Sequence, residues 1–139
     1  MAVFQETLRI RTTGRGLREI TKEVATVVTQ SRLVAGNVVI FCQHTSCSLI
    51  IMENADPSAR ADLEAFFERL APDADPRYAH DAEGPDDMSA HLRMALTRTS
   101  EAIPFADSRL LLGTWQGVFL WEHRTSPHHR AVVVSVQGV

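Results

Sequence analysis

Between Val38 and Glu53 the chain carries a nearly unbroken apolar stretch, VVIFCQHTSCSLIIME. As a single strand at about 3.3 Å per residue it would run roughly 50 Å, too long for a chain of 139 residues. A break therefore falls inside it. His44-Thr45-Ser46-Cys47-Ser48 is the place, because its small hydroxyl side chains bond nearby backbone and favour a turn or bulge. Two short strands result, and the first histidine of the chain sits where they part.

The segments on either side extend this pattern. Residues 3–12 interleave Val3, Leu8 and Ile10 with polar residues and read as a first strand. After Gly14 and Gly16, Leu17, Ile20, Val24, Val27 and Val28 recur with helical spacing, against the β-branched run at 26–29. Gly36-Asn37 signals a turn before the strand Val38 to Gln43. Asp56-Pro57 has the form of an N-cap followed by proline at the first helical position, and Leu63, Phe66, Phe67 and Leu70 define the helix that follows. Pro72 to Asp87, with three prolines and six acidic residues, is a loop of about sixteen residues, a length more often functional than idle. Asp87 is placed to cap a third helix, Met88 to Arg98, with Met88, Leu92, Ala95 and Leu96 as its inner face. Four strands follow, around Ala102 to Phe105, Arg109 to Leu112, Trp115 to Glu122 and Arg130 to Val136. Strands at both ends and about three helices between them predict a single α+β domain over residues 1–139, with a mostly antiparallel sheet.

Composition excludes several classes. With 45% hydrophobic and 22% charged residues the chain is neither disordered nor fibrous. Its 14 Lys and Arg against 17 Asp and Glu give a net charge of -3, so no global basic field advertises nucleic acid. Nowhere do eighteen apolar residues run uninterrupted, and the N-terminal segment has no leader-like apolar region, so membrane and secretory roles are not expected. Cys42 and Cys47 lie in apolar sequence and read as reduced packing thiols of a cytoplasmic protein.

Six histidines are the unusual count. His44 lies at the strand break, His80 in the acidic loop, and His91 on the third helix near its packed face. Taken alone, each is explained by a hydrogen bond to a carbonyl or, for His91, to Asp87 one turn earlier. Together with Glu53, Asp56, Asp81, Glu83 and Asp87 they supply the imidazoles and carboxylates that divalent metal sites and general acid/base sites need. His80-x-x-Glu83 and Asp87-x-x-x-His91 can each offer two ligands, although no HExxH or cysteine pair specifies a geometry. Ser46 and Cys47 lack any nucleophile elbow. On the last long strand Trp115, Phe119 and Trp121 share one face, while Gln116 and Glu122 on the other lie about 20 Å apart and cannot share a small ligand. Gln116 is the better site candidate, and Glu122 is free to pair with Arg130 across a hairpin. His128 and His129 belong to an exposed turn. Gly14-Arg15-Gly16 is only a short signal for an anion-binding nest.

These motifs resemble the YjbQ family, small proteins also called secondary thiamine-phosphate synthases. The resemblance rests on FCQHTSCSLIIMENADP at 41–57, Asp62, YAHDAEGPDDMSAHLR at 78–93, LLGTWQGVFLWEHR at 111–124, and Arg130 with its valine run. It implies an α+β fold assembled as a homotrimer, with the polar residues gathered in a pocket near the subunit interfaces. It also implies a weak thiamine-phosphate synthase activity, joining a hydroxymethylpyrimidine diphosphate to a thiazole phosphate with loss of pyrophosphate. On that resemblance His44, Ser46, Glu53 and His91 carry the chemistry, while Thr45, Asn54, Glu83, Asp87, Gln116 and Arg130 hold the phosphorylated substrate. His44, His80 and His91 are the expected ligands of a divalent metal, Mg²⁺ or Zn²⁺. Two departures stand out: Asp86-Asp87 where many members carry Asp-Asn, and Pro127-His128-His129-Arg130 where Pro-Arg-x-Arg is common. The second leaves anion binding at that turn to Arg130. The rival expectations are a metal-dependent hydrolase or lyase, and a trimeric small-molecule binding module without turnover.

Overall fold

The computed structural model describes residues 1–139. Eight strands and three helices follow in the order β1 (Ala2–Arg11), β2 (Gly16–Glu19), α1 (Thr21–Ser31), β3 (Gly36–Cys42), β4 (Cys47–Glu53), α2 (Pro57–Leu70), α3 (Asp87–Leu96), β5 (Ser100–Ala106), β6 (Arg109–Leu110), β7 (Gln116–Glu122) and β8 (His129–Gly138). All pairings are antiparallel. A five-stranded sheet has the order β1-β8-β3-β5-β6, and a three-stranded sheet the order β2-β7-β4. The α+β class with mostly antiparallel sheets and three helices is as expected. No helix is long and apolar enough to cross a membrane.

The break at 43–46 is what sends the chain from one sheet to the other. β3 sits inside the large sheet and β4 at the edge of the small one, so the apolar run serves both layers. Between them lies a core that includes Ile40 and Val134 from the large sheet, Leu49 and Leu120 from the small one, and Val24, Val27 and Val28 from α1. Burying those three valines outweighs the β-branched cost to α1, where Thr26 and Thr29 turn their hydroxyls back to the carbonyls four residues earlier. The other face of the small sheet also is covered: Phe67 of α2 meets Trp121 edge-on at 4.8 Å, and α3 packs on β4. Cys42 and Cys47 are buried and unpaired.

Several local expectations are corrected. Leu17 belongs to β2 rather than to the helix, because residues 16–19 add a strand to β7 before the helix begins at Thr21. Gly36-Asn37 is inside β3, paired with β5 and β8; Gly36 lets the backbone approach so closely that a Cβ there would stand 1.9 Å from the Gln137 carbonyl oxygen. Asp56 does cap α2, accepting the Ser58 N–H at 2.9 Å. Asp87, however, is the first residue of α3, and the N-cap position falls to Asp86, whose carboxylate bonds elsewhere. The inner face of α3 is also not the expected one. Ser89, Ala90 and Arg93 are buried, while Met88 and Leu92 are partly covered and Ala95 and Leu96 face outward. A buried Arg93, donating twice to the Ala71 carbonyl, displaces the apolar stripe. Trp115 lies outside β7 and is exposed.

Candidate functional site

The acidic loop, residues 71–86, is tied down at both ends. Arg15 grips Asp73 through two bonds of 2.8 and 2.9 Å, Ser89 donates to the same carboxylate, and the Ala74 N–H donates to the Pro85 carbonyl at 2.9 Å. Asp86 accepts from Arg124 Nε at 3.0 Å, Thr125 N–H at 2.8 Å and the Thr125 hydroxyl at 3.1 Å. Burial works to raise the Asp86 carboxyl, but these bonds outweigh it and hold the group well below the usual carboxylate range. The loop is thus rigidly anchored where it leaves α2 and where it enters α3.

That rigidity brings together His80 and Glu83 from the loop with Asp87 and His91 from the first turns of α3. One donor atom from each of the four lies within 4.8 Å of every other. Asp87 is the hinge of the group. Its Oδ1 takes Arg124 Nη1 at 3.0 Å, and its Oδ2 faces His80 Nε2 at 2.7 Å and His91 Nε2 at 3.1 Å. Burial of Asp87 opposes its ionisation, yet the bond with His80, the contact with Glu83 and the charges of His91 and Arg124 together hold its pKa below the ordinary value.

The protonation of His91 follows from geometry. Its Nδ1 is 2.7 Å from the Thr45 carbonyl oxygen, which can only accept, so Nδ1 carries a hydrogen. In the neutral ring Nε2 then presents a lone pair to a carboxylate oxygen. Such an arrangement calls for a proton or a metal cation among the four groups. An imidazole whose far N–H is fixed by a backbone carbonyl is the usual arrangement of a metal-ligating histidine. The residues present therefore fit a divalent cation. A cavity of about 330 Å³ lined by Tyr78, His80, Asp81 and Met88 adjoins the cluster. A larger one, about 580 Å³, is lined by His44, Thr45, Ser46, Met94 and Arg130 and is linked to the cluster only through Thr45, whose carbonyl meets His91.

The remaining residues singled out in the sequence divide into two groups. His44 is outside the four-donor cluster: its Nε2 accepts the Ala131 N–H at 2.7 Å, leaving its proton on Nδ1. Burial first, and then the charge of Arg130, push its pKa down, so His44 is neutral at pH 7. Ser46 and Arg130 join a buried ion pair. Arg130 donates through Nε to Glu122 Oε1 at 2.9 Å, through Nη2 to Glu122 Oε2, and through Nη2 to the Ser46 hydroxyl at 3.0 Å. Glu122 and Arg130 do pair, but no hairpin joins them; β7 and β8 lie in different sheets and the pair links the two layers. Glu53, Asn54 and Gln116 sit elsewhere. In the β4–β7 register Cys47 faces Glu122 and Glu53 faces Gln116, so the two ends are about 20 Å apart. There Glu53 accepts the Ala55 and Asp56 N–H groups, Asn54 donates to the Gln116 carbonyl, and Gln116 accepts the Gly113 N–H. These three residues shape the entry to α2 and are not brought to the histidines.

Arg124 is the residue that sequence reasoning missed. It binds Asp86, Asp87 and the Glu83 carbonyl at once, reaching from the end of β7. Its only signal was position: a lone guanidinium just past a strand, opposite a loop rich in acids. His123, just before it, is fully buried, apart from the turn of His128 and His129.

Residues 6–139 match the family model described as UPF0047 protein YjbQ-like. The UPF0047 protein sll1880 of Synechocystis is 53% identical over 134 residues, covering 96% of this chain and 91% of that protein. The UPF0047 protein YjbQ of Escherichia coli O157:H7 is 38% identical over 136 residues, covering 97% and 98%. Among solved structures, a conserved hypothetical protein of Thermus thermophilus superposes with a TM-score of 0.83 at 35% identity, over 93% of this chain and 97% of that one. A YbjQ-like protein of unknown function from Sulfolobus solfataricus shares the fold at 20% identity, with a TM-score of 0.87 over 99% of this chain and 100% of that one. By its sequence along nearly its whole length, and by its fold, the chain belongs to the YjbQ-like UPF0047 family.

Proposed function

We propose that this protein is an enzyme that holds a divalent cation on His80, Glu83, Asp87 and His91 and acts on a phosphorylated small molecule. The reaction proposed is of the thiamine-phosphate synthase type that the family resemblance implies, a condensation that expels pyrophosphate. The observation that carries the reading is the convergence of two imidazoles and two carboxylates whose His91 member is already oriented by the Thr45 carbonyl. Two nitrogen donors among four suit Zn²⁺ or Mn²⁺ better than Mg²⁺, which prefers oxygen. Bound there, the ion supplies positive charge to a phosphate leaving group. Arg124 tempers the negative charge of Asp86 and Asp87, and His44 offers its Nδ1–H to whatever occupies the larger cavity. The working unit is a homotrimer, a reading supported by the exposed side chains of Phe41, Leu96, Leu111 and Trp115. It operates in the cytoplasm, where Cys42 and Cys47 stay reduced.

A second reading, hydrolysis of a phosphorylated molecule, is favoured by the same pair of imidazoles, which suits a zinc-activated water. One experiment separates them. Metal-free protein is titrated with Zn²⁺, Mn²⁺ and Mg²⁺, bound metal is measured by elemental analysis, and thiamine phosphate formation from the two precursors is followed with and without chelator. Wild type is expected to take up about one ion per chain, and Asp87→Asn and His91→Ala to lose affinity by at least about 100-fold, more than the loss of a group that merely orients a ligand. Uptake with unchanged affinity in both variants would overturn the metal centre. Phosphate release without the condensed product selects the hydrolase, and metal binding without turnover of either kind leaves a binding module.

A further inference from the structure

A third cavity lies in the β1–β2 connection, and none of its lining residues is one of the four proposed metal donors. Its volume is about 290 Å³, and Arg11, Thr13, Arg15, Gly16, Arg18 and Glu122 are among the residues that line it. The charges do not cancel. Arg15 is matched by Asp73, and Glu122 is matched by Arg130. Arg11 has no carboxylate within ion-pair distance, and Arg18 only donates from Nη1 to the Arg11 carbonyl at 3.0 Å. Glu64 reaches the wall to accept the Leu17 N–H at 3.2 Å. Arg11 and Arg18 are both exposed and keep their guanidiniums available.

Backbone donors add to this positive rim. Thr12 N–H donates to the His128 carbonyl at 2.8 Å, but the N–H groups of Thr13, Gly14 and Arg15 find no acceptor in the protein, and neither does the Thr13 hydroxyl. Three successive amides without a protein acceptor and two unmatched guanidiniums line this cavity, whose one carboxylate, Glu122, is already taken up by Arg130 and Thr12. Glycine is required to hold the loop in this shape. Gly14 has φ of +130°, and a Cβ there would stand 2.9 Å from the Thr125 carbonyl oxygen. Oxyanions are the ligands that such donors recognise, phosphate above all, because its several oxygens accept from a guanidinium fork and from amides together.

We propose that this cavity is a binding site for a phosphate group, carried by a small molecule or free in solution, and separate from the metal cluster. The test is isothermal titration and amide-resolved NMR with inorganic phosphate and with pyrophosphate, without divalent metal. Saturable shifts are expected at the Thr13, Gly14 and Arg15 amides of the wild-type protein. In the double variant Arg11→Ala/Arg18→Ala the dissociation constant should rise at least about tenfold, whereas in Asp87→Asn/His91→Ala it should stay unchanged. Circular dichroism checks that the variants fold. Should the double alanine variant fail to fold, Arg11→Lys/Arg18→Lys keeps the charge but removes the fork, and a weaker, still measurable affinity is expected. Titration that leaves those three amides unmoved in wild type would overturn the site, as would equal affinity in wild type and in whichever arginine variant folds. Stronger binding of pyrophosphate than of phosphate identifies a diphosphate-bearing ligand as the better fit to the cavity, and equal binding identifies a single phosphate group.

Discussion

Acid should destabilise this protein through one histidine that stands apart from His80, Glu83, Asp87 and His91. His123 is fully buried between the small sheet and the helices; its Nε2 is 2.7 Å from the Ser48 hydroxyl, its ring lies 5.0 Å from that of Trp121, and its Nδ1 has no partner. Burial first, then the charges of Arg93, Arg15 and Arg130, push its pKa down to about 3. In the unfolded chain the same imidazole titrates near its ordinary value of 6.5. Between those two values the unfolded state binds more protons than the folded one, so stability rises with pH across this window and is lost as pH falls below about 6.5. At pH 5 the unfolded ring is nearly all protonated while the folded ring is not, which costs about 2 kcal/mol at 1.36 kcal/mol per pH unit. Urea unfolding followed by tryptophan fluorescence at pH 7.5 and pH 5, at one protein concentration, measures this directly for wild type and His123→Gln. The variant keeps a side chain able to bond Ser48 but cannot titrate, and the contribution of His44 is common to both proteins. Wild type should therefore lose about 2 kcal/mol more than the variant between the two pH values. Equal losses would refute the reasoning, because they would mean that His123 is either solvated or already charged in the folded protein.

Other consequences follow from particular contacts. Arg124→Ala leaves Asp86 and Asp87 without their cation and should lower stability by about 2–3 kcal/mol in urea unfolding, the buried-pair cost reduced for partial solvent access, with Arg124→Lys recovering part of it. Gly36→Ala places a Cβ against the backbone of β8 and should cost more than about 3 kcal/mol, seen as a lower melting temperature or failure to accumulate folded protein. Leu49→Ala removes a fully buried side chain between the two sheets and should cost about 2–5 kcal/mol by the same urea measurement.

What the residues disclosed in advance depended on whether local chemistry or long-range pairing decided the matter. The strand break, the α2 cap and the existence of four strands after α3 follow from local signals, since Asp56-Pro57 and the 43–46 turn act on their own backbone. Residues 16–19 became a strand only because β7 offers them a partner about 100 residues away, which no window on the sequence can register. The face of α3 failed for a related reason. Hydrophobic periodicity assumes that apolar side chains choose the core, but here the buried positions go to Arg93 and Ser89, whose bonds to Ala71 and Asp73 anchor the acidic loop.

That exchange also explains why the four donors of the candidate site were legible and Arg124 was not. His80-x-x-Glu83 and Asp87-x-x-x-His91 are close in sequence, one pair within a turn of the loop and the other one helical turn apart, so their spacing could be read directly. Arg124 enters from 37 residues beyond Asp87 and is invisible to spacing, yet it offsets the charge of the two aspartates that stand together at the start of α3. The two aspartates therefore differ in role: Asp86 binds Arg124 and Thr125 and fixes the loop, while Asp87 turns one oxygen to Arg124 and the other to both imidazoles. Replacing each in turn distinguishes these roles. Asp86→Asn should lower the urea midpoint while keeping metal affinity within a few-fold of wild type, and Asp87→Asn should lose metal affinity by at least about 100-fold. If instead Asp86→Asn abolishes metal uptake at full stability, the two carboxylates have been assigned the wrong way round, and the cluster centres on the loop rather than on the helix.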